Sequence, residues 1–302
     1  MKSGFVSLVG RPNAGKSTLL NRLVGSKLAI VSDKPQTTRN RILGVRNYPD
    51  AQVIFLDTPG IHRPLHRMNV RMVDAALETI REVDILGLVV DASASFGRGE
   101  QYVFDLMKDV KIPVFLILNK IDLIKKPRLL PMMDEFSRRG AFAEIIPISA
   151  ATGLNVDRLE RVIVDRLPEG PSLYPEDYLT DQPERVLVAE IVREKLLQST
   201  HSELPFSSAV LIDRFEEPEN ASGVLRLYCT IVVERASQKP IVVGRGGEMI
   251  KRIGTAAREE LERLLSTRVY LDLHVRVKED WRDDERVLRD LGVGRPGQRD
   301  ES

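Results

Sequence analysis

Gly10-Arg11-Pro12-Asn13-Ala14-Gly15-Lys16-Ser17 reads G-x-x-x-x-G-K-S, and its neighbours decide which fold carries it. Before it, Phe5-Val6-Ser7-Leu8-Val9 is an apolar run of strand length. After it, Thr18-Leu19-Leu20-Asn21-Arg22-Leu23-Val24 spaces its apolar residues as a helix does. A tight turn between a buried strand and a helix start aims several N–H groups inward, and the helix adds its positive dipole end. Such a turn holds a polyphosphate. Gly10, Asn13, Ala14, Gly15 and Thr18 form the cradle, Lys16 reaches the β- and γ-phosphates, and the Ser17 hydroxyl is a ligand for Mg²⁺.

The remaining chain sets the bounds. Its 302 residues predict about two domains. The 45 basic and 44 acidic residues nearly cancel, so any surface for nucleic acid or membrane must be local. One cysteine, Cys229, excludes a disulfide framework and a cysteine-rich metal site, and fits a reducing cytosol. The start of the sequence shows no signal-peptide pattern, and runs such as Val114-Phe115-Leu116-Ile117-Leu118 are too short to span a bilayer. The expected location is the cytoplasm.

Residues 1–167 alternate apolar runs with amphipathic stretches, which predicts a doubly wound, mostly parallel sheet. The expected strands are Phe5–Val9, Arg41–Arg46, Val53–Asp57, Ile85–Asp91, Val114–Asn119 and Glu144–Ile148. Ligands of such sheets sit beyond the carboxyl ends of the strands, and the chemistry-bearing residues fall there. Val53-Ile54-Phe55-Leu56 delivers Asp57-Thr58-Pro59-Gly60, where Asp57 can hold a magnesium shell through water and the Gly60 amide can meet a γ-phosphate. The strand ending at Leu118 delivers Asn119-Lys120-Ile121-Asp122. The Asp122 carboxylate can accept both N1–H and the 2-amino group of guanine, donors that adenine lacks. Sites of that kind reject the wrong partner by on the order of 10⁴ or more. Asn119 would tie the loops together, the Lys120 stem would cover the base, and Ser149-Ala150 would offer the Ala150 amide to guanine O6.

G-x-x-x-x-G-K-S, D-T-P-G, N-K-I-D and S-A in this order resemble the GTPases related to translation factors. Gln36-Thr37-Thr38-Arg39-Asn40 supplies the second-motif threonine, with Thr38 as its match. The resemblance makes Lys16, Thr38 and Gly60 the residues expected at the reacting phosphate, and Ser17, Thr38 and Asp57 those expected around Mg²⁺. Ile61 stands where Ras-type enzymes place a water-orienting glutamine. Hydrolysis is therefore expected to be slow and to rest on positioning and charge. His62 and His66 lie nearby but read as solvated loop residues. Relatives with a hydrophobic residue at this place use K⁺ held by a P-loop asparagine, and Asn13 occupies that position.

Residues 168–183 are proline-rich and read as a linker. Residues 184–280 then follow a different order: a helix (Glu184–Gln198), two strands (Phe206–Phe215 and Val224–Val233) and a strand Ile241-Val242-Val243 running into Gly244-Arg245-Gly246-Gly247. Helices near Glu248 and Thr255–Leu265 come next, then an alternating strand from Val269 to Val277. This α+β order around a G-x-x-G resembles a KH domain, in which glycine backbone clamps a single-stranded RNA. Lys239, Gly244, Arg245, Gly246, Gly247, Lys251 and Arg252 are the expected RNA contacts.

A single GTPase domain, this module and a tail over 281–302 together resemble the Era-type GTPases. The resemblance implies a monomeric enzyme that binds GTP and GDP, contacts the 3′ region of 16S ribosomal RNA and acts in small-subunit assembly. It also implies a place at the inner membrane face for some members, which no basic amphipathic helix supports here. The alternative is a C-terminal module that docks a protein or membrane surface. A P-loop ATPase or kinase is disfavoured by Asn119-Lys120-Ile121-Asp122. The Arg/Asp/Glu mixture after Trp281 reads as a solvated helix face.

Overall fold

Runs that lack polar alternation bury both faces, and those of the first half become one six-stranded sheet. The structure is a computed structural model describing residues 1–34, 37–62, 67–200, 204–218, 220 and 223–293. Gln36, His66, Glu219, Ala221, Ser222 and residues 294–302 lie outside the described residues. The chain divides into two compact units. The first comprises Met1–Ala29, Thr38–Leu65 and Asn69–Asp181; the second comprises Ile30–Thr37, His66–Met68 and Gln182–Ser302.

The first unit carries, in chain order, β1 (Lys2–Val9), α1 (Lys16–Val24), β2 (Ile42–Tyr48), β3 (Ala51–Asp57), α2 (Arg67–Ile80) and β4 (Ile85–Asp91). These are followed by α3 (Arg98–Met107), β5 (Val114–Asn119), α4 (Leu129–Ser137), β6 (Glu144–Pro147) and α5 (Val156–Arg166). The sheet order is β2-β3-β1-β4-β5-β6, and only β2 runs antiparallel to its neighbour. Leu19, Leu20 and Leu23 of α1 and Leu159 and Ile163 of α5 cover one face over Val6, Leu8, Phe55 and Ile117. On the other face Ala76 of α2, Val103 and Phe104 of α3 and Phe136 of α4 meet Val9, Leu88 and Leu116. The expected doubly wound arrangement is the observed one. No described helix is long and apolar enough to cross a membrane.

The proline-rich stretch is irregular, as read, but it is fastened rather than free. Gln52 Oε1 accepts the Leu173 and Tyr174 N–H groups at 2.7 and 2.9 Å. Val45 N donates to Leu179 O, and the Thr180 hydroxyl to Leu43 O. The Tyr174 and Tyr178 rings stack at 4.8 Å.

The second unit contains α6 (Glu184–Ser199), α7 (Leu204–Ser207), β7 (Ser208–Glu216), β8 (Val224–Val233), α8 (Lys239–Val243), α9 (Glu248–Leu265), β9 (Arg268–Val277) and α10 (Glu285–Asp290). Its sheet is β7-β8-β9, with β8 antiparallel to β7 and parallel to β9. A parallel pair needs a crossover, and α8 with α9 supplies it. Val188, Ile191 and Leu196 of α6 and Ile253, Ala257 and Leu261 of α9 pack on Leu227, Cys229 and Ile231.

Three expectations are corrected here. Ile241-Val242-Val243 is helix α8, not a strand: Pro240 sits in its first turn, and the Gly244 N–H closes it on Pro240 O at 2.8 Å. The two helices expected after the glycine loop are one, α9. The segment from Trp281 is not a solvated face: Trp281 is fully buried, its Nε1–H donating to Ser207 O at 3.0 Å. Arg282 pairs with Glu234, and Val287 and Leu288 are buried.

Candidate nucleotide site and glycine-loop groove

Gly10 leaves β1 and Lys16 opens α1, so the motif forms the strand-to-helix turn expected of it. Asn13 and Gly15 turn in the left-handed region, at φ 65° and 89°. A Cβ on Gly15 would stand 2.2 Å from Asn119 Nδ2, so the turn can close on that neighbour only with glycine. Ala14 is buried beneath the loop, and Thr18 is half-buried in the first turn of α1. Lys16 lies over the loop, its ammonium donating to the carbonyls of Gly10 (3.3 Å) and Arg11 (3.1 Å). Burial pushes this ammonium below the ordinary lysine value, while Asp57 pulls it back up.

Three hard oxygen donors converge beside it. Ser17 Oγ lies 2.6 Å from Thr38 Oγ1 and 2.6 Å from Asp57 Oδ2, and Thr38 Oγ1 lies 3.4 Å from the same carboxylate oxygen. Asp57 is fully buried at the tip of β3, and its Oδ1 has no hydrogen-bond partner. Burial pushes its carboxyl up, against the pull of Lys16, Ser17 and Thr38. A buried carboxylate with an orphaned oxygen, flanked by two hydroxyls, has the chemistry of a small divalent cation site. These residues fit Mg²⁺.

Gly60 and Ile61 close the phosphate end. The Ile61 N–H donates to Gly10 O at 3.0 Å, and the side chain is 1 % exposed, packed in the cluster with Ala76 and Ile80. The residue in the glutamine position therefore belongs to the core. His62 Nδ1 lies 2.9 Å from Gly60 O.

At the other end of the sheet edge, Asn119 ties two loops: Nδ2 donates to Ala14 O and Oδ1 accepts the Ala150 N–H, each at 2.9 Å. The Ala150 amide, expected to face guanine O6, is thus engaged by Asn119; in this structure it braces the loop. Ser149 is buried, and its Oγ accepts the Thr152 N–H. Asp122 stands exposed on the 3₁₀ turn Ile121–Leu123, and Lys120 leaves β5 at φ 65° with its ammonium 2.6 Å from Asp91 Oδ2.

In the second unit, Gly244, Gly246 and Gly247 all adopt positive φ (74°, 59° and 83°), and a Cβ on Gly246 or Gly247 would meet nothing within 4 Å. Positive φ favours glycine there while the space beside it stays open, which is what a loop approached by a ligand backbone needs. Lys239, Arg245 and Lys251 are exposed around it. Arg252, also exposed, turns instead toward Ser199 O at 3.3 Å. Beside the loop a groove of about 310 Å³ runs between α9 and β9, floored by Ile250, Gly254, Leu271 and Leu273 and edged by Lys251, Thr255 and Arg258.

Three residues of these sites give little or nothing away in the motifs. Arg258 lies two turns after Lys251 on α9, a spacing that could have shown it. Asp91 ends β4 as Asp57 ends β3, which is a usable signal. Arg22, which donates to the Ala150 and Ala151 carbonyls at 3.2 and 2.5 Å, gives no local signal because its partner lies 128 residues away.

Comparison with known proteins agrees with both halves. The family described as 50S ribosome-binding GTPase matches residues 5–120, and the KH domain family matches residues 203–282. GTPase Era of Geobacter metallireducens is 51 % identical over 96 % of this chain and 97 % of its own. GTPase Era of Heliobacterium modesticaldum is 50 % identical over 97 % of each. A crystal structure of Era in complex with MgGDPNP and nucleotides 1506–1542 of 16S ribosomal RNA superposes with TM-score 0.93 at 43 % identity, over 97 % of this chain and 99 % of that one. A point variant of Aquifex aeolicus Era bound to GDP·AlF₄⁻ gives 0.92 at 42 % identity, with the same coverage. Phosphate loop, strand-end motifs, glycine-loop module and near full-length likeness lead to one assignment: the chain belongs to the Era family of GTPases.

Proposed function

We propose that this GTPase couples its nucleotide state to binding of the 3′ region of 16S ribosomal RNA through the KH module, as a monomer acting in small-subunit maturation in the cytoplasm. The observation that carries the reading is the open glycine loop and its groove, in a chain 43 % identical to an Era crystallised with MgGDPNP and 16S nucleotides.

At the nucleotide, Lys16 exchanges the Gly10 and Arg11 carbonyls for the β- and γ-phosphates, and its charge offsets the charge that develops between them. The Gly60 amide donates to the γ-phosphate and Thr38 closes over it. Ser17, Thr38 and, through water, Asp57 would hold Mg²⁺, which would supply neutralisation of phosphate charge when bound. Asp122 reads the guanine edge, Lys120 covers the base, and Asn119 with Ser149 and Ala150 fixes the loops around it. Among the described residues none stands out as a base for the attacking water, and catalysis rests on positioning and electrostatics. K⁺ at Asn13 is the additional cation of this reading. The two nucleotide states differ in how Thr38 and Gly60 are held, and RNA affinity can follow the nucleotide only through that difference.

The test measures binding of a single-stranded oligonucleotide from the 3′ end of 16S ribosomal RNA. Affinity is expected to fall as salt rises and to collapse in an Arg245→Asp, Gly246→Asp variant, whose added carboxylates repel phosphates. Gly246 has room for the new side chain, and aspartate enters the left-handed region more readily than most residues. An unchanged affinity would overturn the reading in favour of protein or membrane docking.

A further inference from the structure

Asp91 has no part in the sequence motifs, yet its carboxylate is aimed. It ends β4 directly beside Asn119 of β5 in the sheet register, and the Ala92 N–H donates to Asn119 O at 2.8 Å. One carboxylate oxygen, Oδ1, accepts both the Ser93 N–H (2.9 Å) and the Ser93 hydroxyl (2.5 Å). The other, Oδ2, faces the Lys120 ammonium at 2.6 Å. Both partners are mostly shielded, with side-chain exposures of 21 % for Asp91 and 30 % for Lys120. An ion pair so placed is screened less than one on the open surface.

The consequence lies in the methylenes between. The main chain of Lys120 is held at one end by its left-handed turn after Asn119, and its ammonium is held at the other end by Asp91. A lysine stem fixed at both ends presents an apolar wall along a set course, and such a wall suits a purine face. A lysine free to choose among its rotamers would have to be ordered when the nucleotide arrives, at a cost in affinity. We infer that Asp91 is a positioning residue for the guanine base, tethering the Lys120 ammonium so that the side chain stands as one wall of the base pocket before nucleotide binds. This rests on the reading of Lys120 as the residue that covers the base.

The experiment compares mant-GDP affinity and steady-state GTP hydrolysis in the full-length parent, Asp91→Asn, Lys120→Met, Lys120→Ala and the Asp91→Asn, Lys120→Met double variant. Asparagine keeps an acceptor for Ser93 but loses the charge that holds Lys120; methionine keeps an apolar stem but cannot pair. Asp91→Asn is expected to weaken mant-GDP and raise KM about tenfold, with kcat changed less than about twofold, because the tether acts on binding rather than on the reacting phosphate. In the Lys120→Met background the same substitution is expected to have no further effect. A tenfold loss that persists in that background would overturn the proposal, showing that Asp91 acts through its turn and not through Lys120. Lys120→Ala separates the two readings. If it binds mant-GDP as the parent does, the base-covering reading fails and the tether with it. If it is weakened while Asp91→Asn is not, the tether alone fails. Asp91→Glu, which restores the charge, is expected to recover most of the lost affinity and so guards against a variant that simply misfolds.

Discussion

Ile61→Gln would install the residue that Ras-type enzymes use at this position, and a motif comparison alone would expect faster hydrolysis. The structure predicts damage instead. Ile61 is 1 % exposed among Val9, Ala76, Ile80 and Leu88. Losing a fully buried aliphatic side chain costs about 2–3 kcal/mol, and burying a primary amide without partners adds about 1–3 kcal/mol. The sum, roughly 3–6 kcal/mol, is a large share of the 5–15 kcal/mol typical of a folded domain. For a unit of this size it corresponds to a melting shift of roughly 6–24 °C. Circular dichroism melts in excess GDP would read the shift, and phosphate release at saturating GTP would read the chemistry. The expected outcome is a lower melting temperature with no gain in turnover, because the backbone at residue 61 is tied to Gly10 O and turns the side chain into the core. A variant that melts like the parent and turns over about tenfold faster would refute this reasoning, since it would place side chain 61 at the nucleotide.

Three further outcomes follow from particular residues. K⁺ is expected to accelerate GTP hydrolysis over Na⁺ in the parent and not in Asn13→Ala; equal rates in both salts, with the variant indistinguishable, would remove Asn13 as a ligand. Trp281→Ala is expected to destabilise the second unit by about 3–5 kcal/mol, by analogy with large-to-small core substitutions, read as a lower denaturation midpoint for that unit. Trp281→Phe, which keeps the ring but not the Nε1–H bond to Ser207 O, should lose less. Burial pushes the Cys229 thiol up to about 12, so at pH 8 it carries almost no thiolate; a disulfide reagent should label it only after unfolding, and rapid labelling of the native protein would contradict the buried strand.

The first unit is largely legible in the sequence because its chemistry sits at strand ends. Asp57 and Asn119 each follow an uninterrupted apolar run, and a run buried on both faces has few alternatives to a central strand. The second unit is less legible where local preference and tertiary context disagree. Three β-branched residues, Ile241-Val242-Val243, favour a strand by propensity. The fold needs only Val242 inward, buried at 0 % exposure while Ile241 is half exposed, and Pro240 starts the helix that achieves it. The tail misleads for a related reason. Its charges read as solvated because no partner lies nearby in sequence, yet Arg282 meets Glu234 at a separation of 48 residues, and Trp281 reaches Ser207 at 74. The Ala150 amide shows the same limit at the site itself. A motif can name the donor, but only the fold reveals that Asn119 already uses it.

The two glycine loops show how one physical device is turned to different ends. Both rely on positive φ, which glycine adopts without strain, to expose main-chain amides. At Gly15 the vacant Cβ position is filled by Asn119 Nδ2, which also grips Ala14 O, so the loop is locked to the base-side motif and presents one fixed cradle. At Gly246 and Gly247 nothing occupies that position, and the loop opens onto solvent beside a groove with an apolar floor and basic edges. A cradle locked from behind suits a compact ligand recognised atom by atom, as a guanine nucleotide must be. An open loop suits a chain that enters and leaves along its length, and there affinity comes from phosphate charge added over several residues. The second loop should therefore lose its ligand as salt rises, while the first, whose donors are buried and preorganised, should hold its nucleotide over the same range.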